Sequence, residues 1–474
     1  MHFVWLTIIL IFLNLLFAGS LIFIERKNPT TTWAWLMIFI LLPGLGFVIY
    51  LLLGQNFSRQ KLFKDKSVTD ANTRKNNIAN SNMVLNEEEL KYLDLIKMNY
   101  TNSGARYTQR NEIEIFSDGK EKFEKLLEDI ENAKKYIHIQ YYIFKNDEIG
   151  NKIIEALEKK LDDGVKVRLL VDAMGSWQVT KKKLRTYLNK GGKFSIFFPG
   201  ILPHINTRIN YRNHRKIVVI DGEYGYVGGF NVGDEYLSRD KKIGNWRDTH
   251  IRIRGKAVED LDERFILDWC YAADEKVEDI EKSEFEDSKS IGDVSVQIVT
   301  SGPDHNEEYI KNGYVKMINN AKKDIYLTTP YFVPDVTMIE SLRISALSGV
   351  NVNILIPGNP DHKFMQWAAN SYIGELLDAG ARVFHYNKGF VHAKVLSIDG
   401  CVSSIGTANM DIRSFSLNFE VNAFIYNFKV ANEIEEQFKK DLEDSTEITR
   451  EIYQNRGRIS KILESIVKLL SPIL

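Results

Sequence analysis

The chain has 474 residues, 62 Lys and Arg against 63 Asp and Glu, and a formal net charge of −1. At roughly 100–200 residues per domain this is two or three domains, and a single small module is excluded. The balanced charge excludes a general nucleic-acid coat protein, 44% hydrophobic with 26% charged residues excludes wholesale disorder and a polytopic transporter, and two cysteines, Cys270 and Cys401, make neither a disulfide framework nor a zinc spacing.

Residues 3–24 form a run of 22 residues without a charge, and residues 33–53 form another of 21. A bilayer core of about 30 Å needs about 20 apolar helical residues, so each run is long enough to span. The short polar connector Glu25 to Thr32 makes the pair a transmembrane hairpin, with Trp33 and Trp35 suited to an interface. A signal peptide cleaved near Ala18-Gly19-Ser20 is disfavoured, because Met1-His2 offers no basic n-region and the apolar run continues past that point. Arg59, Lys61, Lys64 and Lys66 follow the second run and predict that the large C-terminal part lies in the cytoplasm.

Residues 55–82 are polar and read as a tether, with lead-in to residue 110. Helix and strand patterns then alternate: a helix over 119–135, a strand over 136–144, a helix over 150–163 and a strand over 165–171, the order of an α/β layered fold. The pattern recurs. Ala133-Lys-Lys-Tyr-Ile matches Ala321-Lys-Lys-Asp-Ile, 188 residues on, and Gly164-Val-Lys-Val matches Gly349-Val-Asn-Val, 185 residues on. A duplicated domain is predicted, with boundaries at 111–292 and 293–452, the copies paired about a pseudo-twofold with a site at their seam. Residues 453–474 read as a basic amphipathic helix. Its stripe is Ile459, Ile462, Leu463, Ile466, Val467, Leu470, Ile473 and Leu474, suited either to the domain core or to a membrane surface.

Both copies carry one five-point pattern: His214, Lys216, Asp221, Gly228, Asn231 and His392, Lys394, Asp399, Gly406, Asn409, each at +2, +7, +14 and +17 from its His. The residues between are strand-like, and period two places His and Lys on one face. An imidazole beside an ammonium suits a phosphate: the first attacks phosphorus or moves a proton near neutral pH, the second stabilises anionic oxygens. Two facing copies supply one nucleophile and one general acid. Asn231 and Asn409 are candidate phosphate donors, and Gly228 and Gly406 leave room for substrate. Asp221 and Asp399 precede Gly in a turn signal, which makes them structural support more than chemistry. Each histidine needs an acceptor for its other ring nitrogen; Asp248, 34 residues after His214, and Glu420, 28 after His392, are the candidates. His138, His204, His250, His305, His362 and His385 lack such a pattern and read as surface or satisfied core. Phosphate-loop, H-E-x-x-H and dinucleotide motifs are absent from the sequence, so neither a metal nor a cofactor is expected.

The repeated His-x-Lys-x4-Asp with Gly-Gly-x-Asn resembles the phospholipase D superfamily. Asn213-His-Arg-Lys, Trp246-Arg-Asp-Thr-His250 and the terminal Leu470-Ser-Pro-Ile-Leu474 are similar to bacterial cardiolipin synthases within it. The resemblance implies two α/β/α sandwich halves, His214, Lys216, Asp221, His392, Lys394 and Asp399 as the catalytic motifs, and phosphatidylglycerol as the substrate. It also implies conversion of two phosphatidylglycerols to cardiolipin and glycerol through a phosphatidyl-histidine on His214. The readings that compete are a hydrolase or another phosphatidyltransferase, a membrane-anchored nuclease and a non-catalytic lipid-binding scaffold; no nucleic-acid partner is expected, and oligomeric state stays open.

Overall fold

The computed structural model of the chain describes residues 85–199, 210–282, 291–305 and 307–471, with scattered positions before residue 85. The predicted span 3–24 and the stretch 55–82 lie largely outside the described residues, and His204 lies wholly outside them. Within the second predicted span a helix covers Pro29–Leu41; it starts inside the polar connector, where Pro29 suits a first helical position. Among the described residues no helix is long and apolar enough to cross a membrane.

One mixed sheet runs through the molecule. Its first-copy strands are β1 (Thr108–Phe116), β2 (Tyr136–Tyr141), β3 (Lys166–Asp172), β4 (Lys193–Phe197), β5 (Ile217–Ile220), β6 (Tyr224–Gly228) and β7 (His250–Arg254). The second copy supplies β8 (Val294–Ser301), β9 (Asp324–Thr328), β10 (Asn351–Pro357), β11 (Arg382–Tyr386), β12 (Val395–Ile398), β13 (Val402–Gly406) and β14 (Asn418–Tyr426), with β15 (Ser445–Glu447) on its outer edge. The spatial order is β15-β11-β10-β9-β12-β13-β14-β8-β1-β7-β6-β5-β2-β3-β4. Outside β15, it is a palindrome in which each strand of the first half answers the strand numbered seven higher. The antiparallel β1·β8 pair lies at the centre, so the duplication read from sequence is a pseudo-twofold.

Helices cover the sheet: α1 (Gly119–Asn132), α2 (Glu148–Asp162), α3 (Ala257–Ala273), α4 (Tyr309–Asn320), α5 (Val336–Leu347), α6 (Lys363–Asp378), α7 (Phe428–Glu443) and α8 (Arg458–Leu470). Side-chain caps set several starts: Asp118 accepts from Lys120 and Glu121 N–H before α1, and Asn427 from Val430 N–H before α7. The strands β2, β12 and β14 are buried along their whole length, as a sheet covered on both faces requires.

Two segments depart from the composition-based reading. Residues expected in the tether are anchored in the core: Phe63 packs edge-on against Tyr211 and Phe419, and Lys66 pairs with Asp70 at 2.9 Å and with Asp268 at 3.3 Å. Positions 63, 66 and 70 follow helical spacing, a signal hidden by the polar average. Lys66 is thus held inside the protein and does not act as a free flanking charge. The lead-in also carries a helix, Leu93–Ser103, whose Leu95 and Ile96 enter the core of the second copy.

Candidate active site

Residues 214–216 are not in a strand, contrary to the period-two expectation. Each histidine instead follows a short parallel bridge to the other copy. Arg212–Asn213 pairs with Asn418–Phe419, and Gly389–Val391 with Asn245–Arg247. His214 N–H donates to Phe419 O at 3.0 Å and His392 N–H to Arg247 O at 2.6 Å.

That register decides the carboxylate partners. Asn213 lies opposite Phe419, so the next residue on each side is His214 and Glu420; Val391 lies opposite Arg247, so His392 meets Asp248. His214 Nδ1 is 3.0 Å from both Glu420 oxygens, and His392 Nδ1 is 2.6 Å from Asp248 Oδ2. Both candidate carboxylates therefore hold a histidine, but each holds the one from the other copy. Counting along the chain within a copy paired them the wrong way round.

The glycines serve a different purpose from the one read in sequence. A Cβ on Gly228, where φ is +154°, would lie 2.4 Å from His250 Cα, and one on Gly406 would lie 2.3 Å from Asn422 Cγ. They admit protein, not substrate. The next position explains why the two copies differ there: a Cβ on Gly229 would lie 1.9 Å from Asp248 Oδ1, whereas Thr407 uses its hydroxyl to donate to Glu420 at 2.5 Å.

Lys216 Nζ donates to His214 O at 2.8 Å, and Lys394 Nζ donates to His392 O and lies 2.9 Å from its Nδ1. Burial lowers both ammonium groups, Lys216 to about 7 and Lys394 to about 8, against the raising effect of Glu420 and Asp248 respectively. Burial is also the main cause holding His214 at about 4 and His392 at about 3, so both rings are neutral at pH 7. Burial alone would raise Glu420 and Asp248; the histidines and lysines beside them win, and both lie below the ordinary carboxylate value. With Nδ1–H given to a carboxylate, each imidazole keeps its Nε2 lone pair for chemistry.

His214 and His392 line one cavity of about 610 Å³, together with Asn231 and Asn409. Among the described residues Asn409 Oδ1 is buried without a hydrogen-bond partner, while Asn231 is engaged by Ile143 N–H and Tyr236. Tyr142 packs edge-on against His214, centroids 4.9 Å apart, and Trp246 lies 5.1 Å from His392. Tyr142, Arg212, Tyr331 and Arg413 were not singled out from sequence, and Trp246 entered only as the first residue of the Trp246–His250 stretch. For Arg212 the signal was present, two residues before His214. Of the other histidines, His138 bonds Asp262 at 2.7 Å and stacks on Phe265 inside the core, and His250 and His385 are buried or nearly so. His362, expected on the surface or in a satisfied core, is exposed and lines the cavity.

Asp221 and Asp399 stand outside this cluster, which corrects their place in the catalytic motifs. Each sits past the far end of its strand in a turn with φ of 55° and 53°, followed by glycines at 71° and 64°. Asp221 accepts from the N–H groups of Lys134, Lys135 and Tyr136 at 2.7, 2.7 and 2.9 Å; Asp399 accepts from Lys322, Lys323 and Asp324 at 2.8, 2.8 and 3.0 Å. They tie the hairpin to the start of the neighbouring strand. Asp221→Ala is expected to cost about 3 kcal/mol of stability through three lost charge-assisted bonds. The loss is read in the denaturant midpoint, with activity following the folded fraction.

Two half-sites that exchange histidine and carboxylate across a duplicated mixed sheet define a phospholipase D-like protein. Comparison with known proteins agrees. The family described as "Cardiolipin synthase, PLD-like domain" matches residues 126–269 and 314–442, and "Phospholipase_D-nuclease N-terminal" matches residues 3–55. A cardiolipin synthase of Clostridium perfringens is 52% identical over 95% of this chain and 96% of its own, and one of Listeria innocua is 47% identical over 99% of both. The fold is also that of phosphatidylserine synthase from Haemophilus influenzae, with a TM-score of 0.62 at 16% identity, covering 82% of this chain and 100% of that one. The chain belongs to the cardiolipin synthase family.

Proposed function

We propose that the chain transfers a phosphatidyl group from one phosphatidylglycerol to another, giving cardiolipin and glycerol. The observation that carries this reading is the pair of neutral, carboxylate-held histidines facing one cavity. His214 Nε2 attacks the phosphorus of the first lipid. The P–O bond to glycerol breaks, and the departing oxygen takes a proton from His392 Nε2. His392, now neutral, takes the proton of a glycerol hydroxyl on the second lipid; that oxygen attacks phosphorus and the P–N bond to His214 breaks. Burial and Lys394 disfavour imidazolium at His392; the phosphodiester anion, with Asp248, offsets this as the lipid binds, and His392 takes up from solvent the proton that it then gives to glycerol. Lys216, Lys394, Asn231 and Asn409 stabilise the phosphate oxygens.

The membrane carries the substrate to the site. We read residues 3–24 and 33–53 as two spans with the catalytic halves in the cytoplasm; Asn14 Nδ2 donates to Phe39 O at 3.2 Å, and Leu21 packs with Trp35, Phe39 and Tyr50, contacts that suit a hairpin. α8 docks Val467 and Glu464 on the α6 side but leaves Ile459, Ile462, Ile466 and Leu469 exposed in one stripe, with Lys461 and Lys468 beside it. This stripe rests on the lipid surface. Changing Ile462 and Ile466 to Glu is expected to lower turnover on vesicles about tenfold without moving the thermal unfolding transition.

The function is tested by incubating the purified full chain with phosphatidylglycerol vesicles and a chelator and resolving lipids by mass. Cardiolipin with equimolar glycerol is expected; phosphatidic acid alone would make water the acceptor and the protein a hydrolase.

A further inference from the structure

The cavity wall holds two guanidinium groups that the histidine chemistry does not use. Arg212 lies two residues before His214, and Arg413 four residues after Asn409, so each copy contributes one. Arg212 Nη1 donates to Tyr211 O at 2.9 Å and Arg413 Nη2 to Asn210 O at 2.7 Å. Among the described residues neither makes an ion pair with a carboxylate, and a guanidinium has five N–H donors, so donors remain on both. Of the two carboxylates in the cavity lining, Asp411 is engaged in capping Ser414 N–H at 2.6 Å and Asp361 accepts from Tyr331 OH at 2.5 Å. Burial first, and then the like charge of Arg212, lowers Arg413. Two like charges half-buried in one wall are unfavourable until an anion joins them.

The pair also breaks the internal symmetry. The position matching Arg212 in the second copy is Phe390, packed 5.2 Å from Trp246 and 5.8 Å from His392. The position matching Arg413 in the first copy is Glu235, paired with Lys145. The arginines are therefore no part of the duplicated phosphate-handling pattern; they add a second anion site on one side of it.

Given phosphatidyl transfer as proposed above, the reaction itself contains a second anion. The accepting lipid brings a phosphodiester that stays intact, one glycerol unit from the hydroxyl that must reach the histidines. Water and free glycerol bring none. We infer that Arg212 and Arg413 bind the phosphodiester of the accepting phospholipid and so select a lipid alcohol over water or glycerol. Planar, bidentate donors suit such a group.

The test compares two reactions of the full chain in phosphatidylglycerol vesicles: cardiolipin formation, and exchange of labelled glycerol into phosphatidylglycerol, which uses the same donor half-reaction with a neutral acceptor. Arg212→Gln and Arg413→Gln are each expected to lower cardiolipin formation about 10- to 100-fold, and glycerol exchange at most about threefold, with a larger share of phosphatidic acid. Arg→Lys at the same positions keeps the charge and the fold but not the fork, and is expected to give an intermediate, still selective, loss. Equal losses in both reactions by the Lys variants, or unchanged cardiolipin formation in the Gln variants, would overturn the assignment. If the unaltered chain gives neither product, phosphatidyl transfer itself falls, and this site with it.

Discussion

His214→Ala is expected to abolish both cardiolipin and any lipid adduct, whereas His392→Ala is expected to slow turnover about 10²- to 10⁴-fold and still to yield an acid-labile phosphatidyl-protein on rapid quenching. The difference follows from the roles. Without His214 there is no nitrogen to receive the phosphatidyl group, and direct attack by a second lipid would have to proceed without the covalent step. Without His392 the leaving glycerol departs as an alkoxide or borrows a proton from water, which is slow but not forbidden. Peptide mapping of the adduct quenched from the unaltered chain gives the check: modification of the peptide containing His392 in place of that containing His214 would exchange the two roles.

Glu420→Gln and Asp248→Asn are each expected to lower kcat/KM about 10²- to 10⁴-fold, because the imidazole loses both its tautomer lock and the charge that stabilises it as it gains a proton. Their pH profiles separate the two. Glu420 raises both His214 and Lys216, and Asp248 raises both His392 and Lys394. Attack on phosphorus needs His214 neutral and Lys216 charged, and Lys216 loses its charge above about 7, which sets an alkaline limit. Removing the Glu420 charge lowers that value and moves the alkaline limb of kcat/KM to lower pH; Asp248→Asn acts first on Lys394, at about 8, and moves the lower limb in the same direction but less, because Asp248 raises Lys216 by less than Glu420 does. If the carboxylates served the histidines of their own copies, the two profiles would be interchanged.

Much of this arrangement was legible in the chain. The strands at 136 and 217, the helices at 119 and 150, and the Asp-Gly turns fall where period and turn chemistry put them, because burial on both faces leaves uninterrupted apolar runs and a tight hairpin demands positive φ. The two His-x-Lys motifs were legible for the same reason that internal repeats are: matched spacing. What was hidden is what depends on distance in sequence. The His214–Glu420 contact spans 206 residues and the His392–Asp248 contact 144, and nothing local to either residue specifies its mate. Averaged composition likewise concealed Phe63 and Lys66, two buried side chains in a polar stretch. The glycines were misread because a missing side chain does not say whether substrate or the protein's own backbone fills the space.

The crossing of partners has a consequence for how the molecule can change. Neither half taken alone holds a histidine with its acceptor, so a lone half would have to associate with a second to assemble even one dyad. Two identical chains meeting about an axis must stay identical; any residue favourable on one side is imposed on the other. Joining them end to end removes that constraint while preserving the exchange. Phe390 against Arg212, and Glu235 against Arg413, show the freedom in use: each copy places an arginine in the cavity wall where the other has an aromatic packed on Trp246 or a carboxylate paired with Lys145. A site built about a pseudo-twofold can thus treat two lipids unequally, one as donor and one as acceptor, even when they are the same molecule.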